Sequence, residues 1–262
     1  MDYAALSVGV DGPVAEITLT RPELFNRFDD ALHVELTAAP HEVRSDPKIL
    51  AVVLASTGKA FSAGGDFDLM RAARADVAAR LRIVDDGRRL LAALQSLPQP
   101  LVVALHGAAI GLGATVVLSA DAVVAARSAT LSDPHVQLGL VAGDGGCLVW
   151  PQAVGMLRAR RHLLTGDAVD AATAYAMGLV TDLVEEPADV LPAARTLAAR
   201  IAALPPLAVQ GTKCALNAVT AARAAEVVEI GLAHEETTLA STDLIEAIDA
   251  FTERRPPVFQ GR

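Results

Sequence analysis

Short apolar runs rich in valine, isoleucine and leucine alternate along the first half of the chain with stretches of helical spacing. Residues 6–10 and 14–20 are two such runs, separated by Asp11-Gly12-Pro13, and they predict a hairpin or two adjacent strands. Residues 29–43 place Leu32, Leu36 and Val43 on one side of a helix. The runs 50–55, 101–105 and 122–126 predict buried strands, and a helix is expected over 112–120. Strands that alternate with helices favour an α/β fold with mostly parallel strands. From Pro187 the pattern changes. Residues 191–204, 207–219 and 221–239 predict helices, with Pro205-Pro206 between the first two. Ser241-Thr242-Asp243 caps a last helix over 244–254, ended by Pro256-Pro257. The chain therefore divides into an α/β core over 1–190 and a helical region over 191–262.

Composition narrows the function. In 262 residues, 52% are hydrophobic and 20% charged, which excludes a disordered chain. A formal net charge of −9 and 3% aromatic residues argue against a nucleic-acid partner, which needs a basic face or stacking platforms. The charge-free stretch 90–120 is long enough for a membrane span, but Pro98, Pro100, His106 and three glycines interrupt it. It predicts a buried strand, loop and helix instead. Cys147 and Cys214 cannot build a disulfide framework, and they are expected to be buried thiols in a reducing cytosol. The start Met1-Asp2-Tyr3 lacks signal-peptide features, so a cytoplasmic location is expected.

Several motifs are excluded. Gly58-Lys59 lacks the remaining P-loop positions, and Val116 stands where a dinucleotide fingerprint starting at Gly111 needs its third glycine. No zinc-protease spacing, Cys/His metal cluster or Gly-x-Ser-x-Gly occurs, so no metal is expected. Two glycine-rich turns remain. Residues 59–67 follow the strand 50–55, and residues 105–113 follow the strand 101–105 and open a helix. Each can leave backbone N–H groups unpaired, and the second carries the positive end of a helix dipole. Converging on one oxygen, such groups form an oxyanion hole; as tight packing turns, they do nothing chemical.

The order of motifs resembles the crotonase superfamily, whose best-known members are enoyl-CoA hydratases and isomerases. Arg21-Pro22 followed by Asn26 is similar to the family's N-terminal signature, with Arg27 where a small residue is usual. Residues 60–67 match the first oxyanion loop. Thr165-Gly166, Ala171, Ala174 and Gly178-Leu179-Val180 resemble the later pattern, and 250–256 resembles the C-terminal helix that reaches a neighbouring subunit's coenzyme A site. The resemblance implies a crotonase-like ββα superhelix with a C-terminal helical trimerisation region, assembled as a homotrimer or homohexamer. It implies an oxyanion hole made by the Gly65 and Leu112 N–H groups. The carbonyls of Ala63 and Phe67 would meet the adenine end of coenzyme A. Arg21, Lys59 and a neighbour's Arg254 would meet phosphates, and a neighbour's Phe251 would reach the same site. Coenzyme A enters as part of the substrate, with no permanently bound cofactor.

The family's hydratases use two glutamates. Aligned through the glycines, those positions are Thr115 and His135, so standard two-glutamate hydration is not supported. In their place stand His135 and, nine residues later, Asp144, with Ala142-Gly143 between them as a turn. Histidine titrates near neutral pH and can take a proton, and an aspartate bonded to it would fix its tautomer. Asp144 could equally cap the following helix. Asp66 is expected to pin its own loop, His106 to be a buried satisfied histidine, and His33, His41, His162 and His234 to sit on helix surfaces or packing faces. Trp150 and Tyr175 fill core or line an acyl pocket, and residues 69–94 cover that pocket. Three functions follow: an acyl-CoA enzyme of crotonase type; a CoA-independent β-diketone hydrolase, as in the oxocamphor hydrolase branch; or a non-catalytic binding protein. All three predict no nucleic acid and no membrane.

Overall fold

The computed structural model describes residues 3–262; Met1 and Asp2, part of the start read above, lie outside the described residues. The apolar runs become one six-stranded sheet. It is built from β1 (Leu6–Asp11), β2 (Val14–Leu19), β3 (Ala51–Ser56), β5 (Leu101–Leu105), β7 (Ala122–Ala126) and β10 (Asp182–Val184) in that spatial order. β1 and β2 form the expected antiparallel hairpin, and every later pairing is parallel. β3 and β5 are buried at nearly every position because helix α8 (Pro187–Ala202) covers one face of β3, β5 and β7. That is why they read as continuous apolar runs and not as alternation.

The local apolar pattern did not predict the strands of a second sheet. After β3, β5 and β7 the chain crosses into β4 (Ala60–Ser62), β6 (Ala108–Ile110) and β8 (Thr130–Ser132), and β9 (Val169–Asp170) completes the order β4-β6-β8-β9. Two or three residues per strand are too few for a periodic pattern to register. Each turn of the chain thus lays one strand in each sheet and then a helix. α2 (Phe67–Ala75) and α3 (Val77–Gln95) follow β4, α4 (Leu112–Leu118) follows β6, and α5 (Gly146–Val154) comes after β8. This is the ββα repeat that the resemblance implied.

Helix ends follow local chemistry. Asp29 caps α1 (Asp30–Arg44) by accepting from Leu32 N, and Ser241 caps α10 (Thr242–Glu253) by accepting from Leu244 N. The remaining helices are α6 (Met156–Leu163), α7 (Ala171–Met177) and α9 (Pro206–Leu239). α9 replaces the two helices expected over 207–219 and 221–239. No glycine or proline stands at 219–221, so nothing stops the helix there. The start of the charge-free stretch, residues 90–95, finishes α3 and is not strand or loop. Among the described residues no helix is long and apolar enough to cross a membrane. Both cysteines are free, but Cys147 is half-buried and Cys214 exposed, because Cys214 falls on the outward face of α9.

α9 is held to the sheet by one buried cation. Lys213 Nζ donates to Gln99 O at 2.8 Å and to Asp121 Oδ2 at 2.6 Å, and Asp121 Oδ2 also accepts from Leu101 N at 2.7 Å. Burial lowers the Lys213 pKa, although Asp121 opposes this. Lys213→Met, which keeps the side-chain length, removes both charge-assisted bonds and is expected to cost about 1.5–3 kcal/mol of stability. Denaturant unfolding of the variant beside wild type measures it; an unchanged midpoint contradicts the anchoring role.

Candidate active site

Three successive repeats end side by side. Parallel pairing sets Ala60 against Ala108 and Ser62 against Ala109, then Ala109 against Leu131 and Ile110 against Ser132. The loops leaving β4, β6 and β8 therefore emerge together at the carboxyl ends of the strands, the edge where open parallel sheets bind ligands. Gly64, at φ +85°, packs so closely on the second loop that a Cβ would lie 2.7 Å from Ile110 O. Gly111, at φ +55°, donates its N–H to Ser132 O at 2.9 Å, and a Cβ there would lie 3.4 Å from His135 Cε1. Both positions admit only glycine without strain.

The backbone around these glycines leaves two donors over. Phe28 N donates to Gly64 O and Asp66 N to Phe28 O, which turns the intervening Gly65 N–H away from that partner. Leu112 is the first residue of α4, so its N–H has no acceptor inside the helix. Gly65 and Leu112 line one cavity of about 40 Å³ together with His135 and Asp144. The sequence-expected quartet is thus brought to one place. Asp66 caps α2 through Asp68 N and pairs with Arg27 at 2.8 Å, so it pins its loop as expected. Arg27, where the family has a small residue, supplies that partner.

His135 differs from its expected setting. Its Nδ1–H donates to Asp133 Oδ1 at 2.5 Å, while Nε2 faces Asp144 Oδ2 at 3.4 Å. Asp133, two residues upstream, is therefore the residue that orients the ring, and Asp144 flanks the other nitrogen. Nor does Asp144 cap the next helix: the cap position of α5 is Gly145, without a side-chain bond. Asp133 Oδ2 lies against Gly146, the first residue of α5, where the helix dipole favours negative charge. Thr115 is buried with its Oγ1 unpartnered, and its methyl meets Gly145.

Two further cavity residues were not assigned to the site from sequence. Glu235 of α9 is 5% exposed, and its Oε2 is buried without a partner. His33, expected on a helix surface or packing face, is buried and lines the cavity; its Nδ1–H donates to Asp29 O at 3.0 Å. The cavity is closed by Leu69, Met70, Ile83 and Gly87, from the 69–94 segment expected to cover it. Trp150 is core, stacked on His162, and Tyr175 is exposed; neither lines the cavity. His106 is half-buried and satisfied through Gly58 O at 3.0 Å. His135, Asp144 and Glu235 offer donor atoms within 4.8 Å of one another, a set that could hold a metal ion, which the sequence did not foretell.

A wider groove of about 1240 Å³ opens from this cavity, sharing Gly65, Met70 and His135 with it. Ala63, Phe67 and Phe251 line it. Phe251 does so within its own chain, edge-to-face with Phe67 at 5.5 Å, because α10 packs back on α2, and its side chain remains exposed. None of the three expected phosphate ligands lines this groove within its own chain. Arg21 is engaged by both oxygens of Asp29 at 2.6 Å, Lys59 stands exposed outside the groove, and Arg254, expected at a neighbour's site, is exposed with a left-handed backbone. Arg255 takes the groove position, held by Glu246 and Glu253.

Burial opposes charge on His135, but Asp144 and Asp133 outweigh it and raise its pKa well above 6.5. Burial, then Asp144, raises the Glu235 pKa well above 4.5. Both groups hold protons more tightly folded than unfolded, so folding stability falls as pH rises above about 4.5 and continues to fall through the raised pKa of each. Glu235→Gln removes the lower part of that dependence. Denaturation midpoints measured from acid to alkaline pH test this; the same slope in wild type and variant contradicts it.

Comparison with known proteins places this arrangement. The Enoyl-CoA hydratase/isomerase family profile matches residues 9–262. The chain is 34% identical over 262 residues to a probable enoyl-CoA hydratase of Rhodobacter capsulatus, covering 100% of both. It is 36% identical over 252 residues to 2,3-dehydroadipyl-CoA hydratase of Escherichia coli, covering 94% of each. A crystal structure of an enoyl-CoA hydratase/isomerase from Mycobacterium paratuberculosis superposes with a TM-score of 0.90 at 35% identity, over 95% of this chain and 99% of that one. With its two-sheet ββα repeat and its glycine loops meeting beside His135, the chain belongs to the enoyl-CoA hydratase/isomerase family, in the crotonase superfamily, and is an enzyme of that family.

Proposed function

We propose that the protein acts on an acyl-CoA thioester, holding the thioester oxygen between the N–H groups of Gly65 and Leu112 so that an enolate or tetrahedral oxyanion forms there. The observation that carries this reading is the pair of acceptor-free amides on adjacent loops, opening into one cavity. Donors fixed in advance cost no reorganisation as charge develops. The groove beyond, larger than the roughly 300–1,000 Å³ of ordinary small-molecule sites, suits a long ligand that enters past Ala63, Phe67 and Phe251. Arg255, held by Glu246 and Glu253, and Arg27, paired with Asp66, are the cations lining the groove where a phosphate would enter.

The acid–base assignment changes from the one sequence suggested. Two flanking carboxylates keep His135 protonated, so the imidazolium is a fixed positive charge and not the resting base. Asp144 is the proton acceptor: it is buried, lines the cavity and keeps Oδ1 free of partners. This supports proton abstraction from carbon or from water beside a stabilised enolate, the chemistry common to isomerisation and hydration. Exposed Leu207, Leu216, Val219 and Ile230 along α9 support a homo-oligomer, for which a trimer is our reading.

Leu112→Pro is the sharpest test of the oxyanion hole. Proline is tolerated at the first position of a helix, so the variant removes the N–H while α4 persists. Turnover of an enoyl-CoA substrate is expected to fall by about 10²–10³ with the circular dichroism spectrum unchanged; wild-type turnover contradicts the role. Calorimetric titration with coenzyme A is expected to give micromolar binding. No heat at millimolar ligand contradicts the thioester reading and favours a CoA-independent diketone substrate.

A further inference from the structure

The site holds more carboxylate than an oxyanion enzyme with one proton acceptor needs. Asp133, Asp144 and Glu235 all surround His135, and each of the four residues is more than nine-tenths buried. One imidazolium balances one negative charge, and Asp133 claims it through the Nδ1 bond. Asp144 and Glu235 remain, with donor atoms within 4.8 Å of each other and of a ring nitrogen of His135. Glu235 is pressed onto the loop that carries Asp144: a Cβ on Gly143 would lie 2.8 Å from Glu235 Oε2. Two carboxyl groups this close, away from water, oppose each other's ionisation, which favours a proton on one of them. The groups facing Glu235 are Asp144 and Asp133 from the loops before α5, His135 after β8, and Cys147 on α5. His33 and Asp66 line the same cavity, and Asp66 is already paired with Arg27. No cation other than His135 is among these neighbours.

We propose that Glu235 and Asp144 form the acid–base couple of this enzyme, Glu235 giving a proton and Asp144 taking one, in place of the two carboxylates missing at positions 115 and 135. The proposal deepens the acyl-CoA reading and rests on it. Both residues line the cavity beside Gly65 and Leu112, and each has one buried oxygen free of any partner, Glu235 Oε2 and Asp144 Oδ1. A hydrocarbon acyl chain alone would leave both oxygens unsatisfied, and an unmade bond to a buried polar group is costly. A water molecule, or an oxygen at C3 of the acyl chain, satisfies them.

The steps balance for addition of water to an enoyl thioester. A water O–H bond breaks and its proton goes to Asp144 Oδ1. The water oxygen bonds to C3, and the C2–C3 π pair shifts toward the thioester, placing negative charge on the oxygen held by Gly65 and Leu112. Glu235 Oε2 then gives its proton to C2 as the enolate collapses. Asp144 is left protonated and Glu235 ionised; one proton passing between the neighbouring carboxyls restores the starting state. Nothing is oxidised or reduced, and the sum is water added across the double bond. The couple would thus return to this chain the hydration chemistry that positions 115 and 135 cannot perform.

The test has one readout independent of turnover. Infrared difference spectra of wild type against Glu235→Gln, near neutral pH, are expected to show a protonated-carboxyl C=O band that the variant lacks. On a panel of short- and medium-chain enoyl-CoAs, Glu235→Gln and Asp144→Asn are each expected to lower kcat by about 10²–10⁴ while coenzyme A affinity stays at the wild-type value. Glu235→Gln is also expected to abolish the alkaline limb of the kcat profile, and Glu235→Asp to recover part of the rate. Absence of the carboxyl band, a stoichiometric divalent ion bound by the purified protein, wild-type kcat in Glu235→Gln, or coenzyme A binding without hydration of any panel member would each overturn the couple. Failure of the thioester reading looks different: wild type binds no coenzyme A while the carboxyl band remains.

Discussion

The parallel pairing of three very short strands is the constraint on which the site depends. β4, β6 and β8 contribute three residues each, yet their register brings three loops to one edge. One loop supplies Gly65, the next Leu112, and the third Asp133 and His135. The strands are too short to be stable alone. They persist because each continues from a buried strand of the larger sheet, so stability built in one sheet sets geometry in the other. The close approach of Gly64 to Ile110 leaves no freedom in how the first two loops meet.

Charge is the second organising problem. Placing an imidazole and three carboxyl groups out of water is costly unless protons and partners compensate. The fold compensates in layers. Asp133 takes the ring's Nδ1–H and rests against the start of α5, Asp144 faces the other nitrogen, and Glu235 arrives from α9. The last of these depends on a helix anchored far away, through Lys213, to the edge where β5 and β7 begin. A cluster assembled from three separate segments, with oxygens left unpaired, is built for a reaction more than for stability, since full pairing would have served stability better.

Much of the scaffold was legible because long apolar runs and capping residues act locally. β3, β5 and β7 announce themselves as uninterrupted apolar stretches, and Asp29 and Ser241 stand at the caps their chemistry favours. The second sheet was not legible, since strands of two or three residues carry no period. In the site, Gly65, Leu112, His135 and Asp144 could be placed because glycine turns and family order point to them. Asp133 carried a usable signal, an aspartate two residues from the histidine it orients. His33 lies on the same helical side as Leu36 and could have been assigned to the buried face. Glu235 carried none: it is one glutamate among several on a 34-residue helix, and only tertiary packing shows that it is buried. The pairing of Arg21 was illegible for a related reason, because Asp29 is a partner that composition cannot name.

The central claim is that two main-chain amides hold one carbonyl oxygen. It is tested most directly by the vibration of that carbonyl in the bound state. Isotope-edited infrared spectra of an acyl-CoA labelled with carbon-13 at the thioester carbon, bound to wild-type protein, would report it. Two hydrogen bonds from Gly65 and Leu112 predict a carbonyl band displaced to lower frequency than in water. A band at its solution frequency would mean that the amides do not grip the thioester, and would contradict the account.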